Sequence, residues 1–182
     1  MLDLNPDRLR QLDDLFLGQV RTLMSNSYNI GQAVQKADLL IGAVLIPGHR
    51  APRLVTEEMV KTMSPGSVIV DVAIDQGGSI ETIDRVTTHS RPTYEKHGVV
   101  HYAVANIPGA VARTSTYALT NVTIPYAVQI ANKGVERALR ESRPLARGLN
   151  VFGGYITYEA VAEDLNLPYR SLDDLMGETI LG

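Results

Sequence analysis

The chain has 182 residues; 45% are hydrophobic, 20% charged and 5% aromatic, the formal net charge is −3, and there is no cysteine. This apolar content suits one ordinary domain, or one domain with a helical appendage, and argues against global disorder. Lack of cysteine excludes disulfides and thiolate metal sites, and the mild acidity without a basic patch argues against a nucleic-acid binder.

The segment Met1–Leu4 reads as the tail of a strand entering a helix, with Asn5 as its N-cap and Pro6 as its first residue. Leu9, Leu12, Leu15 and Phe16 then recur at helical spacing. The amino terminus has no basic stretch followed by an apolar one, so no secretory signal is expected. No apolar run approaches the ~20 residues that span a bilayer, and the cytosol is the expected compartment. Val20–Met24 predicts a short strand and Tyr28–Lys36 a short helix. Asp38–Val44 is mostly apolar and predicts a strand buried on both faces, ended by Pro47 and Gly48. Thr56 can cap a helix opening with Glu57 and Glu58, which suit the positive helix end. Ser64-Pro65-Gly66 is a turn; Ser67–Ala73 and Val99–Val104 are two further buried strands. Short apolar strands alternating with helices predict a parallel sheet with helices on both faces, for which the doubly wound nucleotide-binding fold is a common solution.

After Pro108 the pattern turns helical. A helix is expected from about Thr114 to Lys133, kinked at Pro125 and stopped by Gly134. A second runs to about Arg147. Val151–Ile156 reads as a hairpin or irregular turn, and Thr157 or Tyr158 opens a short helix through Leu165. The tail from Ser171 is weakly patterned and is expected to fray.

Several residues carry candidate chemistry. Asp3, at a strand end, either bonds ribose hydroxyls or is a solvated acid. Gly42 and Ala43, leaving a buried strand, either let a ligand lie close to the backbone or form a plain strand exit. Asp75 follows a buried strand and precedes Gln76-Gly77-Gly78; it either handles protons beside a ligand or is a turn residue. Asp71, inside the apolar run, reads as a structural, hydrogen-bonded acid. Asn106 either bonds a ligand or makes the turn. The four histidines (His49, His89, His97, His101) show no metal-binding spacing and read as surface or strand-edge residues. Ser115 is not in a nucleophile elbow and reads as helix-start chemistry. No GxGxxG or P-loop occurs.

Four segments together carry a resemblance: Ala37–Gly48 (ADLLIGAVLIPG), Met63–Gly78 (MSPGSVIVDVAIDQGG), Val104–Ala110 (VANIPGA) and Arg113–Asn121 (RTSTYALTN). They resemble the alanine dehydrogenases, within the alanine dehydrogenase/pyridine nucleotide transhydrogenase family. The resemblance covers nearly the whole chain, more loosely after Gly148. Transhydrogenase relatives typically carry Glu at the position of Asp75 and differ after Pro108. Ser79 and Ala103 stand where the family often has Cys, and Ala112 where it often has Pro.

The resemblance implies NAD as cofactor and reversible oxidative deamination of L-alanine to pyruvate and ammonia. Asp3 would bind the adenosine ribose; Ser25, Val44 and Leu45 would line the adenine side; Ile74, Asp75, Val104 and Asn106 would surround the nicotinamide; and Asp75 would assist proton transfer. It also implies domains, with residues 1–112 as a partial NAD-binding Rossmann-like domain and 113–182 as a helical segment packing on a substrate lobe. The implied partners are a homo-oligomer, hexameric in the family, or a complementing amino-terminal half. The family's glycine-rich turn, the strand before it and the substrate lobe align before Met1.

The expected fold is therefore α/β: a partial doubly wound parallel sheet lacking its first strand and glycine-rich turn, followed by carboxy-terminal helices. In the strand order 3-2-1-4-5-6 the first strand is central. A sheet without it falls into two parts with unpaired edges, at about 1–3 kcal/mol for each buried unsatisfied group. The expectation is a fragment, a split subunit, or a rearranged fold that pairs with another chain. The alternatives are a non-catalytic NAD-binding or oligomerisation fragment, and a transhydrogenase-type NAD-binding component.

Overall fold

A computed structural model describes residues 1–177 and 180. It divides into two compact units, Met1–Leu45 with Ala51–Asn106, and Ile46–Arg50 with Ile107–Gly182.

In the first unit, β1 (Leu2–Asp3) and β2 (Leu23–Met24) pair in parallel as a two-stranded sheet, Asp3 opposite Met24. Between them runs α1 (Pro6–Leu15). Its first turn forms where expected because Asn5 Oδ1 accepts from the amides of Asp7 at 2.9 Å and Arg8 at 3.1 Å, and Pro6 has no amide to satisfy. Asn26 caps α2 (Ser27–Val34) in the same way. A second sheet contains β3 (Leu39–Gly42), β4 (Val68–Asp71), β5 (Thr93–Lys96) and β6 (Val99–Tyr102) in the order β3-β4-β6-β5. The first three spatial neighbours are parallel, and β5 is antiparallel to β6. Thr56 Oγ1 accepts from Met59 N and caps α3 (Glu57–Val60). The core between sheet and helices contains Val34, Val60, Ile69, Ile80 and Val99, each at most 1% exposed. Burial of such a side chain contributes about 1.5–3 kcal/mol.

The sheet is split where the sequence predicts. β1 and β2 do not bond to β3, and a cavity of about 670 Å³ lies between them, walled by Met1, Leu2 and Asp3 on one side and Leu39–Val44 on the other. The outer edge of β3 is thus open. β3 is not buried on both faces as expected: Leu39 is 56% and Ile41 58% exposed, because no described element covers that face.

Two features of this unit differ from the sequence reading. β5 was not foreseen; it pairs with β6 across a tight turn in which His97 (φ +57°) and Gly98 (φ +74°) are left-handed, the geometry that favours hairpins. His101 is no surface residue: it is 0% exposed on β6, between β4 and β5. Its ring contacts Thr82 Oγ1 at 2.8 Å and the Val99 carbonyl at 2.9 Å, and stacks on Tyr94 with centroids 5.1 Å apart. His97 does pair with a half-exposed carboxylate, Glu57, at 2.6 Å, and within the second unit His49 pairs with exposed Asp164 at 3.1 Å.

The second unit is mainly helical. α4 (Ala112–Lys133) runs through Pro125 without a break and ends at Gly134 (φ +75°). The single following helix expected to reach Arg147 is two, α5 (Val135–Glu141) and α6 (Arg143–Arg147). Ser142 is extended between them, since Pro144 cannot continue a helix but suits the first turn of a new one. β7 (Val151–Phe152) and β8 (Tyr155–Ile156) form a hairpin over Gly153 and Gly154, both left-handed. α7 (Glu159–Leu165) and α8 (Leu172–Met176) follow. The expected fraying is overturned for Ser171–Met176. Ser171 Oγ caps α8 by accepting from Asp174 N at 3.1 Å, and Leu172, 1% exposed, packs with Leu139 and Ala146. Glu178, Thr179, Leu181 and Gly182 lie outside the described residues. Among the described residues no helix is long and apolar enough to cross a membrane.

Candidate functional site

In open parallel sheets ligands bind beyond the carboxy ends of the strands, and the candidate residues stand there. Asp3 ends β1, and Ser25 follows β2 and donates its amide to the Asp3 carbonyl at 2.9 Å. The Asp3 carboxylate is held on one side only: Oδ1 accepts from Asn5 N at 2.8 Å, while Oδ2 has no partner among the described residues. Asp3, Ser25, Gly42, Ala43, Val44 and Ser79 all line the cavity between the sheets. A restrained carboxylate with one free acceptor, beside small and apolar side chains, suits a hydroxyl-bearing ligand with a flat apolar part. Leu45, next after Val44, is 65% exposed and outside that lining.

The β4 end carries the second group. The chain leaves Asp71 into a 3-10 turn, Val72–Gln76, that buries Ile74 (8% exposed) and leaves Asp75 exposed. An exposed carboxylate on a short turn can take up and return a proton. Gly77 (φ +92°) and Gly78 (φ +77°) then reverse the chain. Asp71 is the structural acid expected: it is 0% exposed and accepts the amides of Ala73 at 2.9 Å and Ser79 at 2.7 Å. Gln76 Oε1 is buried without a partner among the described residues. Such an orphan acceptor costs about 1–3 kcal/mol, which an N–H-bearing ligand or a water relieves.

The β6 end carries the third. Val104 is 1% exposed and bridges to Thr87, so its side chain belongs to the packed interior. Asn106 is exposed and left-handed (φ +56°), and its carbonyl lies 3.1 Å from His89 Nε2. The structure thus brings Asp3, Ser25 and Val44 to one cavity and sets Leu45, Ile74, Asp75, Val104 and Asn106 outside its lining, on the neighbouring chain ends. Ser115 Oγ donates to the Pro108 carbonyl at 2.9 Å, the helix-start role expected of it. No group of three or more His, Asp or Glu among the described residues is placed to hold a metal ion.

Sequence reasoning missed two residues here. Ser79 lines the cavity and bonds Asp71; Gly42 passes so close that a Cβ there would sit 2.5 Å from Ser79 Oγ. Arg53 Nη1 donates to the Ile80 carbonyl at 2.6 Å. No local pattern announces either bond.

The family model described as "Alanine dehydrogenase/PNT, C-terminal domain" matches residues 1–159. The alanine dehydrogenase of Methanococcus maripaludis is 67% identical over 178 residues, covering 98% of this chain and 48% of that protein. That of Bacillus subtilis is 69% identical over 169 residues, 93% of this chain and 45% of that protein. Among solved structures, an L-alanine dehydrogenase superposes with a TM-score of 0.78 at 52% identity, over 91% of this chain and 45% of that one. A transhydrogenase from Sinorhizobium meliloti gives 0.62 at 26% identity, over 87% of this chain and 42% of that one. The chain spans about half the length of the relatives it matches. It belongs to the alanine dehydrogenase/PNT family and carries that family's C-terminal domain.

Proposed function

We propose that the chain is the cofactor-side part of an NAD-dependent alanine dehydrogenase, which converts L-alanine and water reversibly into pyruvate and ammonia. The observation that carries this reading is the free Oδ2 of Asp3, in a cavity shared with Ser25 and Val44 at the carboxy end of the strands. Bound NAD supplies the hydride acceptor. Asp3 Oδ2 accepts from the adenosine ribose hydroxyls and disfavours a 2′-phosphate by like charge. Ser25, Val44 and Leu45 border the adenine. Ile74, Val104 and Asn106 shape the nicotinamide side, where Asp75 takes up and returns the proton exchanged with the substrate. The chain contains no GxGxxG turn to cradle the pyrophosphate. In this reading residues 1–112 are the NAD-binding domain and 113–182 the segment that packs on a substrate lobe. The proposed compartment is the cytoplasm.

The open edge of β3 favours a second reading: a fragment that binds NAD, or serves oligomer contacts, and turns over only when a complementing amino-terminal half supplies a strand between β1 and β3. A homo-oligomer, hexameric as in the family, draws support from α4, where Tyr117, Leu119 and Val122 are each more than 60% exposed. A transhydrogenase-type role is less favoured, given 26% identity to that structure against 52% to the dehydrogenase.

The test is L-alanine-dependent NAD reduction by the chain, alone and with a polypeptide matching the amino-terminal half of its relatives, with Asp75→Ala as control. Turnover that disappears in the variant supports the catalytic reading. NAD binding by the chain alone, with turnover only in the complemented mixture, supports the binding fragment. No NAD binding in either mixture refutes the catalytic and NAD-binding readings and leaves only the oligomer-contact role.

A further inference from the structure

Asp71 is a fully buried carboxylate that the proposed chemistry does not use. Its two oxygens tie both ends of one loop: Oδ1 accepts from Ala73 N at 2.9 Å and Oδ2 from Ser79 N at 2.7 Å. Between these anchors lie Ile74, Asp75, Gln76 and two left-handed glycines. The loop closes tightly on the carboxylate, since a Cβ at Gly78 would come within 2.9 Å of Oδ2. Just past it, Arg53 Nη1 donates to the Ile80 carbonyl at 2.6 Å and fixes the outgoing chain.

Two amide donors on opposite oxygens require an acceptor on each side. A carboxylate provides both; an amide presents NH2 to one of the two donors and repels it. One more methylene does not fit at a site with 0% exposure. We propose that Asp71, seconded by Arg53, is the positioning group of the Ile74–Asp75 turn, setting where the Asp75 carboxylate stands at the site. The functional half of this statement rests on the reading that Asp75 works beside the nicotinamide.

The experiment follows amide hydrogen exchange in the 182-residue chain, as wild type, Asp71→Asn and Arg53→Met, and then repeats the series as an NAD titration read by amide shifts. In Asp71→Asn, one or both loop anchors, Ala73 and Ser79, together with Gly77 and Gly78, exchange roughly tenfold to hundredfold faster, as the loss of a bond to a charged acceptor implies. Val60 and Val100, outside the loop, keep their rates. Unchanged rates at both Ala73 and Ser79, or an equal acceleration at Val60 and Val100, overturn the proposal; the latter describes a residue that only stabilises the fold. If Asp71→Asn does not fold, Arg53→Met decides: Ser79 and Glu81 quicken while Val100 does not, and unchanged rates there overturn it. In the titration, Asp71→Asn loses the NAD-induced shifts at Ile74 and Asp75 and keeps those at Asp3 and Ser25. Parallel loss at all four overturns the positioning role. A wild-type chain with the expected exchange pattern but no NAD shift at Ile74 or Asp75 refutes the nicotinamide reading instead, and leaves the anchoring supported.

Discussion

Gly78→Ala separates two costs at one turn. At φ +77° a side chain pays the left-handed penalty, about 1–2 kcal/mol. The new Cβ also meets Asp71 Oδ2 at 2.9 Å, and that oxygen cannot retreat without loosening its bond to Ser79 N at 2.7 Å. A hydrogen bond to a charged acceptor contributes about 1.5–3 kcal/mol. Together the variant loses roughly 2–5 kcal/mol of a typical total of about 5–15 kcal/mol. Gly77→Ala is the internal control: its φ is +92°, but a Cβ there meets nothing within 4 Å, so only the backbone term applies. Urea unfolding followed by circular dichroism reads the difference. With a slope of about 2 kcal/mol per molar, the Gly78→Ala midpoint falls roughly 1–2.5 M and the control distinctly less. Equal midpoints for the two variants would refute the claim that Asp71 is held rigidly against this turn.

Three further outcomes are expected. Burial holds the His101 pKa below its usual 6.5, so its neutral ring stabilises the fold fully above that pH and stability is lost as pH falls through the lower folded value; the thermal midpoint should drop between pH 7 and 5, and less steeply in His101→Gln. Hydrogen bonds from Lys133 and then Arg137 hold Glu141 down at about 2, so this contribution is present above the ordinary carboxylate range and is lost only as pH falls towards 2; Glu141→Gln should flatten the acid limb of α4 and α5 unfolding seen by residue-resolved exchange. Asn5→Ala removes the acceptor of two α1 amides and should cost about 0.5–2 kcal/mol, measured by urea unfolding.

Features set by neighbours in sequence were legible in it. Asn5, Thr56 and Gly134 mark helix ends because capping is local chemistry. Asp71 reads as a structural acid because a carboxylate inside an apolar strand has to be hydrogen-bonded. The split sheet followed from the resemblance, which placed the first strand before Met1. Features set by distant residues were not legible. His101 is buried because Thr82, 19 residues away, and Tyr94 accept it. Leu172 orders the tail through Leu139 and Ala146. Arg53 looks like any surface cation until the fold brings the Ile80 carbonyl, 27 residues on, to its guanidinium. β5 hid behind a His-Gly turn flanked by a strand with alternating exposure, Thr93–Lys96. In the site, the strand-end positions of Asp3 and Asp75 were readable, whereas the sharing of one cavity by Asp3, Val44 and Ser79 depends on how the two sheets face each other.

The role of Asp3 as the ribose-binding carboxylate is tested most directly by calorimetric titration of NAD and NADP into the chain and into Asp3→Ala. The wild type should bind NAD more tightly than NADP. Asp3→Ala should weaken NAD roughly tenfold to hundredfold, as loss of a charge-assisted bond implies, and narrow the gap between the two nucleotides. Equal NAD affinity in wild type and variant, or no binding by the wild type, would contradict that role.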